Sequence, residues 1–157
     1  MILVIDTSSS KIRLAFEGAV MERESARQTV DLPLFVAEIL GDSKPDAIGV
    51  VVGPGSFTGI RLGIAFAKGM AFGFGVPLVG MNVFEFFDAP LLALDSGRGD
   101  YFISENGAHR IEKEPPAGAA PAAGYNIADG AGIVSWKLRA GGTQPVIPLY
   151  IRPSYVG

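Results

Sequence analysis

The residues able to do chemistry are few, and most of them gather at two places in the first half of the chain. Asp6, Thr7 and Ser8 end an apolar run, "ILVIDTS". A carboxylate there could orient hydrated magnesium beside a nucleotide, and the same residues could equally cap the following turn. The second place is Gly53 to Gly69, "GPGSFTGIRLGIAFAKG". A glycine turn between a strand and a helix presents backbone N–H groups to an anion, so Gly55 and Ser56 join Asp6, Thr7 and Ser8 as the candidate phosphate or nucleotide site. The spacing departs from the strong signatures. A P-loop needs Gly-Lys-Ser/Thr where this chain has Thr58, Gly59 and Ile60, and a dinucleotide pattern begun at Gly53 meets Thr58 at its third glycine. A serine-hydrolase elbow fails because Pro54 and Thr58 flank Ser56.

Other chemistries find little material. The chain has no cysteine, which removes thiol nucleophiles, cysteine zinc sites and disulfides together. Its one histidine, His109, stands beside Arg110 in a polar stretch and reads as a solvated loop residue. A two-metal nuclease needs convergent carboxylates, and Asp46 and Asp88 fall in expected loops. Asp95 and Arg98, in "LDSGRGDYF", offer a turn salt bridge or a polar contact facing a cleft. A net charge of −3 and a pI near 5.1 make direct nucleic-acid binding the weaker expectation.

These residues must be placed by a folded scaffold. The 157 residues are 48% hydrophobic and 18% charged, the composition of a folding domain. The first ten residues lack a basic lead and are no expected secretory signal, and glycines with Lys68 interrupt the apolar stretch from Ile60 to Met81. A cytoplasmic protein with no membrane span is expected.

Residues 2–8, 11–18 and 19–25 read as a three-strand meander, the second alternating Ile12, Leu14 and Phe16 inward. A helix over 31–40 is bracketed by Asp31 as N-cap and Gly41. A buried strand at 47–53, a helix over 59–72 and a strand in "PLVGMN" complete the order β-β-β-α-β-α-β. That order defines an α/β fold of the actin-like or ribonuclease H-like (ASKHA) type, with a complete N-terminal lobe over 1–88. Residues 89–157 are expected to form a shortened second lobe: two strands around "DSGRGD", a third in "RIEKE", a low-complexity linker over 115–124, and remnants in "YNIADGAG" and "PVIPLYIRPSYV".

The two helices of the first lobe carry too few charges for a surface position. Gly59, Gly63, Ala67 and Ala71 recur every four residues, beside large apolar rows that include Leu62, Phe66 and Met70. The earlier helix is apolar on several faces, with Leu32, Phe35, Val36 and Ile39. Either the helices cover one another, or a second domain, a partner protein or a second copy covers them.

"ILVIDTS", "VGPGSFTGIRLGIAFAKGMA", "ALDSGRGDYF" and "PLYIRPSYV", in that order, resemble the TsaB (YeaZ) family, the glycoprotease-homologous subunit of the bacterial machinery that makes threonylcarbamoyladenosine in tRNA. The match is dense over roughly the first hundred residues. The resemblance implies a non-catalytic subunit that shares the fold of the catalytic subunit TsaD, lacks its metal-binding histidines, pairs with it through the two first-lobe helices, and associates with the ATPase TsaE. It implies an interface of Leu32, Phe35, Val36, Ile39, Gly59, Gly63, Phe66, Ala67 and Met70, contact with tRNA only through the complex, and no cofactor of its own. On this reading Gly63→Phe is expected to abolish pairing and spare the fold. The competing expectation is an ATP-dependent phosphotransferase using magnesium at Asp6. The chain is shorter than is usual for the family, and the loss falls after Glu114.

Overall fold

The protein is described by a computed structural model covering residues 1–142 and 144–152. Strands β1 (Ile2–Asp6), β2 (Lys11–Phe16) and β3 (Ala19–Glu24) form the expected antiparallel meander. The hairpin from β2 to β3 turns on Glu17 and Gly18, both at positive φ, as a two-residue turn matched to strand twist requires. Strands β4 (Ala47–Gly53) and β5 (Leu78–Asn82) add in parallel beside β1, giving a five-stranded sheet ordered β3-β2-β1-β4-β5.

This sheet is covered on both faces, which explains why β4 is apolar throughout and β1 is apolar up to Asp6. Helices α1 (Gln28–Leu40) and α2 (Phe57–Phe74) lie on one face, over Leu3, Ile5, Leu14 and Val50. On the other face Val4, Val51 and Met81 meet α3 (Gly130–Arg139) through the fully buried Val134. Successive β1 residues thus serve opposite layers.

A second sheet, ordered β8-β7-β6-β9, is built from β6 (Leu91–Asp95), β7 (Tyr101–Glu105), β8 (Ala108–Glu112) and the two-residue β9 (Ala120–Pro121). Phe84, Leu92, Phe102 and Ala122 form its small core.

Several expectations are corrected. Helix α1 begins at Gln28 with Arg27 at the cap position, and Asp31 sits inside the first turn, where its carboxylate accepts from the Ser25 hydroxyl at 2.7 Å. The helix thus starts three residues before the expected Asp31. Helix α2 starts two residues early, because the Ser56 hydroxyl accepts from Gly59 N–H and fixes the start at Phe57, and it runs two residues further, to Phe74 before the αL Gly75. The stretch 115–124 is no bare linker: Ala120 and Pro121 pair with β6, and Ala122 N–H donates to Ala93 O at 2.8 Å.

The C-terminal stretch divides between the two sheets, with Ile151 packing on the second core. Residues 130–139 form α3 beneath the first sheet, and Val146 is buried in the first core while Leu149 N–H donates to Val52 O at 2.8 Å. Small residues hid α3: Gly130 lets the helix start against Val4, where a Cβ would come within 2.8 Å of a valine methyl. The end of the last block quoted above, 153–157, lies outside the described residues.

Candidate functional site

Two surfaces gather the residues of interest: a cleft at the C-terminal end of β1, and the outer face of α1 and α2. The cleft, about 1040 Å³, is bounded by the β1 end, the glycine turn, the β6–β7 loop, residues 122–125 and residues 149–152. Asp6, Ser8, Gly55 and Ser56 all line it, so the structure brings the candidate phosphate residues together, with Thr7 buried directly behind.

Their groups are already engaged. Asp6 is 1% exposed. One carboxylate oxygen accepts from Ser8 N–H at 2.9 Å, and the other from an Arg13 guanidinium N–H at 3.3 Å and from the Tyr125 hydroxyl. Burial first, and then the negative charge of Asp6, hold the Tyr125 phenol far above its ordinary pKa, so it keeps its proton and remains the donor. The glycine turn is spent in the same way. Ser56 N–H donates to Ser8 O at 2.8 Å, and a Cβ on Gly55 would come within 2.3 Å of that same oxygen. The glycine there admits the backbone that follows β1.

The small-residue row of α2 has the same purpose one layer up. The Thr7 hydroxyl donates to Gly59 O at 2.7 Å. A Cβ on Gly59 would lie 2.0 Å from Thr7 O, and one on Gly63 2.3 Å from Thr7 Oγ1. Gly59, Gly63 and Ala67 therefore pack on the chain's own sheet, and Leu32 and Val36 of α1 are buried in the same core. These five do not present side chains to a partner, which corrects the interface expected of them. Phe35, Ile39, Phe66 and Met70 are half-buried and pack against the edge of the same core.

The accessible part of the helix pair was not singled out in the sequence. Leu34 is 61% and Phe72 91% exposed, with Val30 beside them in character. Ala65, Gly69 and Gly73, again four apart, form an outward row, and a Cβ at Gly69 or Gly73 would meet nothing within 4 Å. The signal was available: a helix with two rows of small residues on different faces can pack two ways. Among the described residues only one of them is used within this chain.

His109 is not a loop residue. It lies on β8, its ring stacks on Phe84 at 5.3 Å, and burial lowers its pKa. It does not line the cleft. Asp95 and Arg98 make no salt bridge with each other, and both line the cleft, as the polar-contact expectation has it; Asp95 also accepts from Gly97 N–H, and Arg152 pairs with Asp100. Among the described residues no group of three or more His, Cys, Asp or Glu side chains is placed to hold a metal ion, and no helix is long and apolar enough to cross a membrane.

Among the described residues the architecture is a mixed α/β fold of two sheets and three α-helices, with a polar cleft whose buried carboxylate, Asp6, is tied down and a helix pair that leaves apolar surface outside. The family model described as TsaD, tRNA N6-adenosine threonylcarbamoyltransferase, matches residues 4–114. The chain belongs to that family. Relatives named tRNA N6-adenosine threonylcarbamoyltransferase include one from Nitratidesulfovibrio vulgaris strain Hildenborough, 42% identical over 82 residues. Another, from Jannaschia sp. strain CCS1, is 37% identical over 81 residues. Each alignment takes in 48% of this chain, and the chain spans only 22% and 23% of the length of the respective relatives.

Among solved structures, YeaZ from Pseudomonas aeruginosa is similar over 95% of this chain and 99% of its own, at a TM-score of 0.66 and 18% identity. RuvC from T. thermophilus, solved with a Holliday junction substrate, is similar over 92% and 98%, at 0.50 and 19%. The fold is thus that of YeaZ and, more distantly, of RuvC, as the resemblance to the TsaB (YeaZ) family leads one to expect.

Proposed function

We propose that this chain is a non-catalytic partner subunit of the machinery that makes threonylcarbamoyladenosine in tRNA, supporting a TsaD-type catalytic subunit through the outer face of α1 and α2. On this reading it is an actin-like pair of lobes acting in the cytoplasm, the TsaE-type ATPase joins the pair, tRNA is met through the complex, and a homodimer through the same face is the state in isolation.

The observation that carries the proposal is the outward surface of the two helices. An aromatic ring as exposed as Phe72 beside an open row of small residues, with Leu34 on the neighbouring helix, is a surface on which another helix can lie close. A non-catalytic role is supported by the single histidine lying on β8, outside the cleft.

The test mixes this chain with the TsaD-type subunit of the same organism and measures the complex by sizing and calorimetry. Leu34→Glu combined with Phe72→Glu should weaken pairing by about two orders of magnitude, since buried aromatic anchors carry most interface energy. Undiminished affinity in that variant would remove the helix face from consideration. Gly63→Phe is the wrong probe, because its side chain would collide with Thr7 and disturb the fold.

A further inference from the structure

Asp6 holds the position from which a carboxylate would present a divalent cation to a nucleotide or a scissile phosphate, and its surroundings do not fit one. A hydrated magnesium ion needs carboxylate lone pairs facing an open, wet space. Here both oxygens accept hydrogen bonds, and the negative charge is matched by a guanidinium. Adding a dication beside Arg13 would set like charges against each other in a poorly solvated place.

We propose that Asp6 is a latch between the two sheets, with the phenol of Tyr125 and the guanidinium of Arg13 standing where a hydrated cation would. Asp6 and Arg13 are cross-strand partners on β1 and β2, in the first sheet. Tyr125 comes from the segment that leaves the second sheet and packs on the α3 face of the first. It follows Ala122, which is buried in the second core and bonded to β6, and its ring lies 4.4 Å from Phe86 in the connection between the sheets. Arg13 closes the arrangement: its guanidinium lies 4.3 Å from the Tyr125 ring centroid and also donates to the Tyr125 carbonyl oxygen.

A second tie crosses the opposite rim. Arg61 donates to the Tyr150 hydroxyl at 2.7 Å, the Tyr150 ring packs on Phe57, and two residues on Arg152 pairs with Asp100, which also accepts from Ser96. One tie at the base of the cleft and one at its rim hold the angle between the sheets. The cleft of this chain is therefore braced, and it does not close around a cation and nucleotide.

The experiment uses the full chain. Mn²⁺ is titrated and followed by electron paramagnetic resonance, Mg²⁺·ATP by calorimetry, and urea unfolding is compared for Asp6→Asn, Tyr125→Phe and the double variant. The expected result is no Mn²⁺ or Mg²⁺·ATP binding that depends on Asp6. Each single variant should lower the folding equilibrium constant about tenfold, with the double variant little worse than the weaker single, as for partners in one interaction. Mn²⁺ binding to the wild type that Asp6→Asn abolishes would overturn the proposal, as would additive losses. If Asp6→Asn does not fold, amide exchange in Tyr125→Phe decides. Faster exchange over residues 122–129 with β4 unchanged supports the latch, and unchanged exchange over 122–129 refutes it. None of these outcomes depends on pairing with a TsaD-type subunit.

Discussion

At the residue scale, identical side chains have opposite meanings in α2. Gly63 has no room for a methyl group because Thr7 stands 2.3 Å from where it would be, whereas Gly69 looks into open space. Gly63→Ala should therefore destabilise the protein by about 1–3 kcal/mol through overpacking. Gly69→Ala, in an exposed helix interior, should stabilise it by about 0.5–1 kcal/mol. Urea unfolding of the two variants checks both signs.

His109 gives a second prediction at this scale. Burial lowers its folded pKa below the ordinary 6.5, so the unfolded chain takes up the proton first. The contribution of the neutral ring is complete above 6.5 and is lost as pH falls from there through the lower folded value. With only one histidine in the chain, the urea midpoint should fall between about pH 7.5 and about pH 5.5, and His109→Leu should flatten that slope.

At the element scale, the decisive feature is the third helix. Val134 is fully buried between α3 and the sheet, where a Cβ on Gly49 would lie 2.5 Å from one of its methyls. Val134→Asp would put an unpaired charge there, and a loss above about 4 kcal/mol is expected, enough to prevent accumulation of folded protein in many domains of this size. Circular dichroism and sizing of the variant read the outcome. The contrast is Trp136, on the same helix and 62% exposed, whose replacement by Gln should leave stability within about 0.5 kcal/mol.

At the scale of the whole molecule, the two sheets are held by side chains more than by continuous secondary structure. The rim tie is acid-sensitive. Asp100 has its pKa held below the ordinary 3.8, first by the Ser96 hydroxyl and then by Arg152. Its stabilisation is complete above 3.8 and is lost as pH falls through the still lower folded value. Residues 149–152 should therefore gain amide exchange, after correction for intrinsic rates, only below about pH 4, and Arg152→Met should bring that exchange to neutral pH.

The order of strands through β8 was legible because each announces itself in a few residues: apolar runs for the buried β1 and β4, alternation for β2, glycine turns between hairpins. The five candidates at the β1 end and the glycine turn were also legible as neighbours. Their engagement was not, because Tyr125 reaches Asp6 across 119 positions of sequence and no local pattern marks a phenol as a partner of a distant carboxylate. Helix α3 was missed because Gly130 and Gly132 open a segment whose helical apolar row is short.

The sequence by itself determined that the first-lobe helices are more apolar than a free surface allows, that the turn before α2 needs glycine, and that thiol and clustered-histidine chemistry have no residues to work with. Those properties are local: composition, four-residue spacing and the presence or absence of a residue type. Only the tertiary structure decided which small-residue row of α2 meets β1 and which faces outward, since rows at the same spacing differ only in rotation about the helix axis. That rotation is set by Thr7 and Ser8 gripping the start of α2 from just past the end of β1, some fifty residues earlier, a contact formed only when the chain has folded.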